Sequence, residues 1–331
     1  MREVDVAIIG GGISGILAAR KLMKAGFEVL VLDKSKSVGG RLATRRIGGG
    51  RADHGAQFFT VRTDSFQQLV DEWEINGWVL KWFGQKHARY KATNGMNQLV
   101  KNLASEVPIQ HMFKVNRIIR DDQKYVVISE EGEQLTSNAI LLTPPAPQTV
   151  HLLERSDVLF SEDTMKSLRN IHFDPALVCL MTLKDELAFH VPDGHKDTDL
   201  PDGIERIVDN HAKGISEEKI LTIYATSDFS KAYYDHGDDD ILDEIVSRLN
   251  FLLPNEFIND RQLKRWRYAQ ADRIYPHPFL QTSMSEAVFV AGDAFLHEED
   301  ETGKTRIESA VTSGLSVADA MQQVLNGKAS T

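Results

Sequence analysis

Residues 4–33 read VDVAIIGGGISGILAARKLMKAGFEVLVLD, and this stretch decides the fold. An apolar run of strand length leads into glycines that fit G-x-G-x-x-G at Gly10, Gly12 and Gly15. A helical pattern follows, and Gly26 is predicted to end that helix. A second apolar run then ends at Asp33. A strand, a glycine turn, a helix, a strand and an acid, in that order, predict a Rossmann-type dinucleotide-binding unit.

The positions of the three glycines have a physical explanation. Gly10 permits a tight turn, Gly12 lets backbone N–H groups approach a pyrophosphate, and Gly15 lets the helix pack closely on the strand. The helix N-terminus carries a partial positive charge and free N–H donors, which favour a diphosphate at that place. Asp33 is positioned to accept hydrogen bonds from ribose hydroxyls. The alternative is a glycine-rich turn that binds no ligand.

Further motifs follow the acid at short range. Residues 39–41 read GGR, residues 48–50 are three glycines that predict a turn, and residues 52–59 read ADHGAQFF. This order of motifs resembles the flavin-containing amine oxidases and their relatives. In that group the arginine contacts the cofactor phosphates and the D-x-G-A segment passes the flavin ring. The alternative for Arg41 alone is a solvated surface arginine.

The C-terminal part of the chain returns to the cofactor. An apolar strand at 287–291 ends in Gly292 and Asp293, and in flavoproteins such an aspartate accepts from the ribityl chain. A final helix is predicted from Ile307 to Leu325. Its N-terminus would stabilise the negative charge of a reduced flavin through the helix dipole. Residues 143–147, TPPAP, resemble the exit point of the cofactor domain in two-domain flavoproteins.

Composition and charge limit the classes of protein to which the chain can belong. A length of 331 residues predicts about two domains, and 42% hydrophobic with 26% charged residues is typical of a globular chain. The net charge of −10 gives no indication of nucleic-acid binding. A single cysteine, Cys179, excludes an intramolecular disulfide and suits a reducing compartment. With neither a signal peptide nor an apolar run of membrane-spanning length, we expect a cytoplasmic protein that does not bind membranes.

The predicted fold class is α/β, with an α+β second domain. We expect a Rossmann-type FAD-binding domain made of residues 1–60, 93–150 and 270–331. An inserted mixed-sheet substrate domain would comprise residues 61–92 and 151–269. Within them, a helix capped by Asp64 or Ser65 is expected, and residues 195–203 are expected to be a polar loop.

Two segments carry residues whose roles the pattern leaves open. Alternation in the strand 263–270 puts Trp266 and Tyr268 on one face, where they could wall a planar substrate or simply pack. Val115 lies where the flavoprotein fold touches adenine, but a plain core role is equally consistent. The run 297–301, HEEDE, is interpreted as a solvated acidic loop, and no metal site is predicted.

The whole chain resembles the renalase family within the flavin amine oxidase superfamily. The glycine motifs and Gly292-Asp293 are shared widely, whereas GAQFFT at 55–60 and RWRYA at 265–269 point more narrowly to renalases. The resemblance implies noncovalent FAD and two-electron oxidation. Bacterial members oxidise 6- or 2-dihydro isomers of NAD(P) to NAD(P)+, with molecular oxygen reduced to hydrogen peroxide. The loop between Asp293 and Ile307 is longer and more acidic than the family leads us to expect.

On these grounds we assign candidate site residues. Those assigned to FAD binding are Gly10, Gly12, Ile13, Ser14, Gly15, Asp33, Lys34, Gly40, Arg41, Gly55, Ala56, Gln57, Phe58, Val115, Thr143, Gly292, Asp293 and Ile307. Those assigned to catalysis or substrate binding are Gln57, Phe58, Trp266, Tyr268 and His277. Trp82, Tyr275 and His87 are weaker candidates.

Three functions remain open at this point. The first is an oxidase of dihydronicotinamide isomers. The second is an amine oxidase or another small-molecule flavin dehydrogenase or desaturase; only Lys86 is a distant candidate for the lysine that amine oxidases place near flavin N5. The third is a noncatalytic flavin-binding protein. The expected partners are a small-molecule substrate and oxygen, and the oligomeric state is open.

Overall fold

The computed structural model describes residues 2–84, 87–184, 191–284, 286–297, 300 and 303–329. The helices are α1 (Ile13–Lys24), α2 (Asp64–Ile75), α3 (Met96–Leu103), α4 (Ala146–Leu153), α5 (Glu162–Asn170), α6 (Ser227–Tyr233), α7 (Asp238–Leu249) and α8 (Ile307–Ala329). The strands are β1 (Arg2–Ile9), β2 (Val29–Asp33), β3 (Thr44–Ile47), β4 (Gly50–Asp53), β5 (Phe59–Thr60), β6 (Val79–Phe83), β7 (Arg89–Ala92), β8 (Ile109–His111), β9 (Val115–Asp121), β10 (Lys124–Ser129), β11 (Gln134–Leu142), β12 (His172–Leu183), β13 (His195–Lys196), β14 (Ile204–Asp209), β15 (Ile220–Ala225), β16 (Ile258–Arg273), β17 (Leu280–Gln281) and β18 (Val288–Val290).

The chain forms two compact units. Unit 1 comprises Met1–Gly40, Val100–His172 and Ala271–Thr331, and unit 2 comprises Arg41–Leu99 and Phe173–Gln270. No helix within the described part of the chain is long and apolar enough to cross a membrane.

Unit 1 is built on a sheet with the strand order β17-β18-β11-β1-β2-β8. Strands β18, β11, β1, β2 and β8 run parallel, while β17 and the β9–β10 hairpin add antiparallel pairs. The central strands read as continuous apolar runs because both of their faces are covered. The predicted Rossmann-type fold is confirmed.

Helix α1 covers this sheet and ends where the sequence indicates. Ile16 and Leu22 are fully buried, so the apolar side of the helix faces the interior. Gly26 follows the C-cap residue with φ of +95°, a left-handed conformation that glycine adopts without steric cost. The α1 helix therefore lies between the two parallel strands β1 and β2 as a crossover connection.

Unit 2 contains a second sheet with the order β13-β14-β15-β12-β16. Strands β13, β14, β15 and β12 pair antiparallel in succession. Helix α7 supplies Ile241, Ile245 and Leu249 to a core that also contains Met181 and Ile223 of the sheet. The run of aspartates at 238–240 occupies the first turn of α7, where negative charge favours the helix dipole.

Smaller sheets complete unit 2. Strands β3 and β4 form a hairpin whose turn contains Gly48 with φ of +56°, so the turn predicted from three successive glycines is confirmed. Strands β5, β7 and β6 form a three-stranded sheet. The hairpin and this small sheet carry the residues that flank the segment 54–58.

Two local predictions need correction. The side chain that caps α2 is Thr63, which accepts from the backbone of Phe66, rather than Asp64 or Ser65. The interpretation of TPPAP as a domain exit stays a prediction; α4 begins within this segment at Ala146, and Pro147 fits the first helical turn because an N–H there would be unsatisfied. The expected polar loop 195–203 begins with β13, since His195 and Lys196 pair with β14.

The boundaries of the two compact units differ from the predicted domain boundaries. Segments 41–60 and 93–99 belong to unit 2, and 151–172 belongs to unit 1. Hydrogen bonds explain the first difference, because Asp53 binds the side chains of Asn210 and Lys213. A hydrogen bond also explains why residues 151–172 belong to unit 1, since Thr164 of α5 binds the carbonyl of Thr282. The roles of the domains stay a prediction.

Candidate functional site

The glycine turn of unit 1 has the geometry of a phosphate cradle. Gly10 adopts φ of +110°, and a Cβ there would lie 2.4 Å from Thr143 Oγ1. A Cβ on Gly15 would lie 2.3 Å from the carbonyl oxygen of Gly10, so this glycine is required for close packing of α1. A Cβ on Gly12 would meet no atom within 4 Å. Gly10 and Gly15 are thus required for close packing, whereas Gly12 faces open space.

Asp33 closes one side of this cradle. Its carboxylate accepts hydrogen bonds from the backbone N–H groups of Gly11 at 2.6 Å and Ser35 at 2.7 Å. The side chain is buried at the carboxyl end of β2, beside the glycine turn. These two bonds fix the orientation of the carboxylate, and each of its oxygens has a second lone pair for a ligand hydroxyl.

Observations at the start of α1 fit a bound dinucleotide. The N-cap residue Gly12 makes no side-chain capping hydrogen bond. The hydroxyl Oγ of Ser14 is buried and has no hydrogen-bond partner among the described residues. Buried polar atoms are nearly always paired, so this orphaned hydroxyl at an uncapped helix N-terminus suits a phosphate group. This geometry is compatible with the assignment of Gly12, Ile13 and Ser14 to the pyrophosphate of FAD, which stays a prediction.

The C-terminal motif is held by serines of α8. Gly292 donates its N–H to Ser313 Oγ at 2.8 Å, and Ser309 Oγ donates to the carbonyl of Asp293 at 2.9 Å. Gly292 itself has φ of +145°, which explains the glycine before the aspartate. Helix α8 also approaches α1 closely, because a Cβ on Gly314 would lie 2.4 Å from the carbonyl oxygen of Ser14.

Other residues assigned to FAD occupy unit 1 as well. Val115 begins β9 two residues after Phe113, whose N–H donates to the carbonyl of Asp33. Val115 is half-buried, so the geometry is compatible both with a core role and with contact to a ligand. Lys34 is exposed and lies 3.4 Å from Gln148 Oε1. Gly40 approaches the turn, since its Cβ would lie 3.5 Å from Gly12 Cα.

The D-x-G-A segment of unit 2 is anchored through its backbone. Ala56 donates its N–H to the carbonyl of Arg41 at 2.9 Å, and a Cβ on Gly55 would lie 1.9 Å from that same oxygen. Tyr224 Oη donates to the carbonyl of Gly55 at 2.6 Å. The guanidinium of Arg41 donates to the carbonyl of Ala269 at 3.3 Å and lies 5.5 Å from the ring of Phe173.

A buried ion pair beneath this segment is absent from the sequence predictions. Asp53 and Lys213 both have fully buried side chains, and Lys213 Nζ lies 2.7 Å from Asp53 Oδ2. Lys213 also donates to Gln57 Oε1 at 2.7 Å, while Gln57 Nε2 donates to the carbonyl of Asp53. Burial lowers the pKa of Lys213, whereas Asp53 opposes that shift. These hydrogen bonds fix the orientation of the Gln57 side-chain amide.

Asp53 accounts for a further motif. Its carboxylate also accepts from Thr44 Oγ1 and from the backbone N–H of Met96. Gly95 adopts φ of +93°, and a Cβ there would lie 2.7 Å from Thr44 Oγ1. Gly95 and Met96 therefore both contact the Asp53 network. Nothing in the sequence around Asp53 indicates that its carboxylate will bind a lysine 160 positions away.

Phe58 is the centre of an aromatic cluster. The ring centroids of Trp82, Phe83 and His195 lie 6.3, 5.9 and 5.6 Å from that of Phe58. We call these four residues the Phe58 cluster. Lys213 Nζ lies 5.1 Å from the ring centroid of Trp82, so the cluster is continuous with the buried ion pair.

The two aromatic residues of β16 contact different partners. Trp266 Nε1 donates to the carbonyl of His54 at 2.8 Å, and the two rings stack at 5.3 Å. Tyr268 packs edge-on against Phe173 at 6.1 Å. The guanidiniums of Arg265 and Arg267 both lie over the ring of Tyr234, at 6.0 and 5.0 Å. The predicted alternation along this strand is confirmed.

Electrostatics distinguish the histidines of unit 2. Burial, and to a smaller extent the positive charge of Lys264, lowers the pKa of His54 to about 4. Burial and then Arg206 lower the pKa of His195 to about 4 as well. Both rings are therefore neutral at pH 7. Neither residue carried a role in the sequence predictions, because burial depends on the fold.

The remaining candidates are two exposed histidines and two segments that the structure describes only in part. His277 is exposed in unit 1, where its ring lies 5.3 Å from that of Tyr275. His87 is exposed and lies 3.1 Å from Arg62. Lys86 and most of the acidic run 297–301 fall outside the described residues, although Asp300 pairs with Arg306 at 2.6 Å. Catalytic roles for the assigned residues stay predictions.

Comparison with known proteins agrees with this geometry. Residues 8–73 match the family model of an NAD(P)-binding Rossmann-like domain, and residues 76–322 match that of flavin containing amine oxidoreductase. Putrescine oxidase of Kocuria rosea is 37% identical over 70 residues, covering 21% of this chain and 15% of that protein. The 1-hydroxycarotenoid 3,4-desaturase of Flavobacterium sp. is 28% identical over 174 residues, covering 50% of this chain and 32% of that protein.

Solved structures extend the likeness over nearly the whole chain, as a likeness of fold. A protein of Exiguobacterium sp. 255-15 assigned as a protoporphyrinogen oxidase has a TM-score of 0.72 at 11% identity, covering 97% of this chain and 99% of that chain. A redesigned putrescine oxidase has a TM-score of 0.68 at 13% identity, with the same coverage. The narrower resemblance to renalases stays a prediction. The family model that matches residues 76–322 covers more than half of the chain, which therefore belongs to the flavin-containing amine oxidoreductases, a family of FAD-dependent oxidoreductases.

Proposed function

We propose that the protein is a FAD-dependent oxidase that takes hydride from a small planar donor, a 6- or 2-dihydro isomer of NAD(P). The donor loses one hydride and becomes NAD(P)+, while oxygen gains two electrons and two protons to give hydrogen peroxide. Bound FAD would supply the two-electron acceptor for this oxidation. Gly12, Ser14 and Asp33 of unit 1 would hold it.

The observation that carries this proposal is the Phe58 cluster. Phe58 follows directly on the D-x-G-A segment, and its neighbours are aromatic rings at 5.6 to 6.3 Å. Flat rings pack well against a planar donor and exclude water from it. A dihydropyridine that loses hydride becomes an aromatic pyridinium, so the reaction requires no acid–base residue. A cluster of rings with neutral His195 supports such a donor.

Reduction of the flavin is the direct test. The purified yellow protein is mixed anaerobically with 6-dihydroNAD(P), and the visible flavin band is followed. Parallel samples receive ordinary NADH or a panel of amines. We expect fast bleaching by the dihydro isomer alone, reversed on admission of air with formation of hydrogen peroxide. Bleaching by amines instead would replace this proposal with amine oxidation, and no bleaching by any donor would favour a noncatalytic flavin protein.

A substitution tests whether the donor binds at the Phe58 cluster. Phe58→Leu removes one flat ring, and a ring contact contributes about 0.5–1.5 kcal/mol, so KM for the donor should rise roughly 2- to 12-fold. Phe251→Leu is the matched control, because Phe251 is an exposed aromatic of the same unit. An unchanged KM in Phe58→Leu would remove the cluster from the donor site.

A further inference from the structure

Two guanidiniums flank the ring of Phe58. The guanidinium carbon of Arg89 lies 5.3 Å from the Phe58 ring centroid and 4.8 Å from that of Phe83. The guanidinium carbon of Arg206 lies 5.5 Å from the Phe58 centroid and 5.8 Å from that of Tyr224. Both arginines belong to unit 2, and each is partly buried. Aromatic faces attract a cation but do not satisfy its N–H donors.

Three buried nitrogen atoms around Phe58 lack a hydrogen-bond partner in the part of the chain that the structure describes. Arg89 Nε, Arg206 Nε and His195 Nε2 are each buried and unpaired among the described residues. The side chain of His195 is only 4% exposed, and its ring lies 5.6 Å from that of Phe58. Buried side-chain nitrogens are nearly always paired, so three exceptions around one ring point to a ligand that accepts hydrogen bonds.

Within the described ranges of the chain, the carboxylates near the two arginines balance their charge only in part. Asp53 is already engaged by Lys213 at 2.7 Å and by two other donors. Glu205 lies 3.5 Å from Arg206 Nη2, but its side chain is 54% exposed. Asp197 lies 4.0 Å from His195 Nε2 and is 48% exposed. Exposed ion pairs contribute little, so the interior of the cluster keeps a positive charge.

We propose that Arg89, Arg206 and His195 form a binding site for an oxyanion, a phosphate or a carboxylate carried by the hydride donor. Guanidinium forks match both anions and hold them with charge-assisted hydrogen bonds. Neutral His195 can donate one further N–H to the same group. The rings of Phe58 and Phe83 then pack against the planar part of the donor that is joined to the anion.

This site sets the charge of the substrate. An alkyl diamine would bring a positive charge towards two guanidiniums, and like charges a few ångströms apart repel strongly when partly buried. A nucleotide donor brings a phosphate that those guanidiniums can bind. The attribution of the anion to the donor rests on the proposed function, whereas the anion site itself can be tested without any donor.

The test uses the FAD-loaded protein, so that the phosphate cradle of unit 1 is already filled. Inorganic phosphate and acetate are titrated in separate arms by calorimetry at constant ionic strength. Arg206→Gln and Arg89→Gln each remove one guanidinium, and Arg155→Gln removes an exposed one from unit 1 as the control. Loss of a charged hydrogen bond should weaken anion binding about 10-fold or more in the first two variants and leave the control unchanged.

A further variant and the comparison of the two anions sharpen the test. Arg206→Lys keeps the charge without the fork, and it should bind phosphate with an affinity between those of the parent and Arg206→Gln. A parent protein that binds neither anion, or variants that bind as tightly as the parent, would overturn the site. Stronger binding of phosphate than acetate assigns a nucleotide-type anion, and the reverse assigns a carboxylate.

Kinetics then separate this inference from the proposed function. If 6-dihydronicotinamide mononucleotide reduces the flavin, Arg206→Gln should raise its KM about 10-fold but leave that of the corresponding riboside unchanged. Equal effects on the two donors would overturn the assignment of the anion to the donor. If neither donor reduces the flavin but phosphate binds in the parent and not in Arg206→Gln, the proposed function fails and the anion site stands.

Discussion

The two units hold their candidate residues by opposite means. In unit 1 the backbone forms the site: glycines let α1 and its turn approach within contact, and Asp33 is fixed by two backbone N–H groups. In unit 2 buried side chains form it, with Asp53, Gln57 and Lys213 bonded to one another. A backbone site depends on where side chains are missing, whereas a side-chain site depends on charges that must remain paired. Substitutions should therefore disrupt the two sets of residues by different mechanisms.

The largest effect is expected from breaking the buried ion pair of unit 2. Lys213→Met leaves Asp53 buried without its cation, and loss of one partner of a buried pair costs about 3–5 kcal/mol in free energy of unfolding. Urea unfolding followed by fluorescence measures this change. The matched control is Lys21→Met, which breaks the exposed pair with Asp319 and should cost no more than about 1 kcal/mol.

A double variant checks the reason for that loss. Asp53→Asn combined with Lys213→Met removes both charges, so it should be less destabilised than Lys213→Met alone. If Lys213→Met were no more destabilised than Lys21→Met, the buried network would not be what holds the D-x-G-A segment.

The glycines of unit 1 give a second, smaller contrast. Gly15→Ala forces a Cβ to within 2.3 Å of the Gly10 carbonyl, and such overpacking costs about 1–3 kcal/mol in free energy of unfolding. Gly12→Ala meets no protein atom and has φ of −78°, but alanine is a weaker N-cap residue than glycine, so the protein without FAD should lose at most about 1 kcal/mol of stability. The same methyl group occupies the space that a pyrophosphate needs, and FAD affinity should fall.

Two measurements distinguish the roles of these glycines. Unfolding of the FAD-free protein reports packing, and titration with FAD reports the cradle. A Gly12→Ala protein that binds FAD as tightly as the parent would contradict the placement of the pyrophosphate. Normal stability in Gly15→Ala would mean that α1 can shift away from β1 at little cost.

The same difference decides what the sequence could predict. The Rossmann-type sheet, α1 and Asp33 follow from residues adjacent in sequence, because each local pattern specifies its own strand, turn or helix. Even Gly26 could be placed, since a left-handed residue at a helix end favours glycine. The glycines of the cradle could be predicted because the absence of a side chain at these positions can be read directly from the sequence.

The site in unit 2 could be predicted only in part. Phe58, Trp266 and Tyr268 stand out as aromatic residues in motifs, and Trp82 stands out beside them. Lys213 lies in an ordinary polar turn, and nothing local shows that it will be fully buried beside Asp53. Arg89 and Arg206 look like surface residues until β7 and β14 bring them to one ring. Long-range pairing of single side chains leaves no periodic pattern to detect.

At pH 7 the smallest expected effect concerns His54, which lies beside Asp53 in sequence and takes no part in its hydrogen bonds to Lys213. Its pKa of about 4 in the folded protein is below the ordinary value of 6.5, because burial disfavours the charged ring. The unfolded chain therefore binds a proton at a higher pH than the folded protein does. Stability is fully present above pH 6.5 and is lost as the pH falls towards 4, by at most ~1.4 kcal/mol per pH unit.

His54→Phe removes this titration while keeping a ring to stack on Trp266. Since His54 Nδ1 has no hydrogen-bond partner among the described residues, the loss of that nitrogen breaks no bond. The free energy of unfolding, measured by urea at a series of pH values, should fall less steeply below pH 6.5 in the variant than in the parent. Parallel acid limbs in the two proteins would show that His54 is charged in the folded state. The acid sensitivity would then belong to the carboxylates and to His195, whose pKa burial also lowers to about 4.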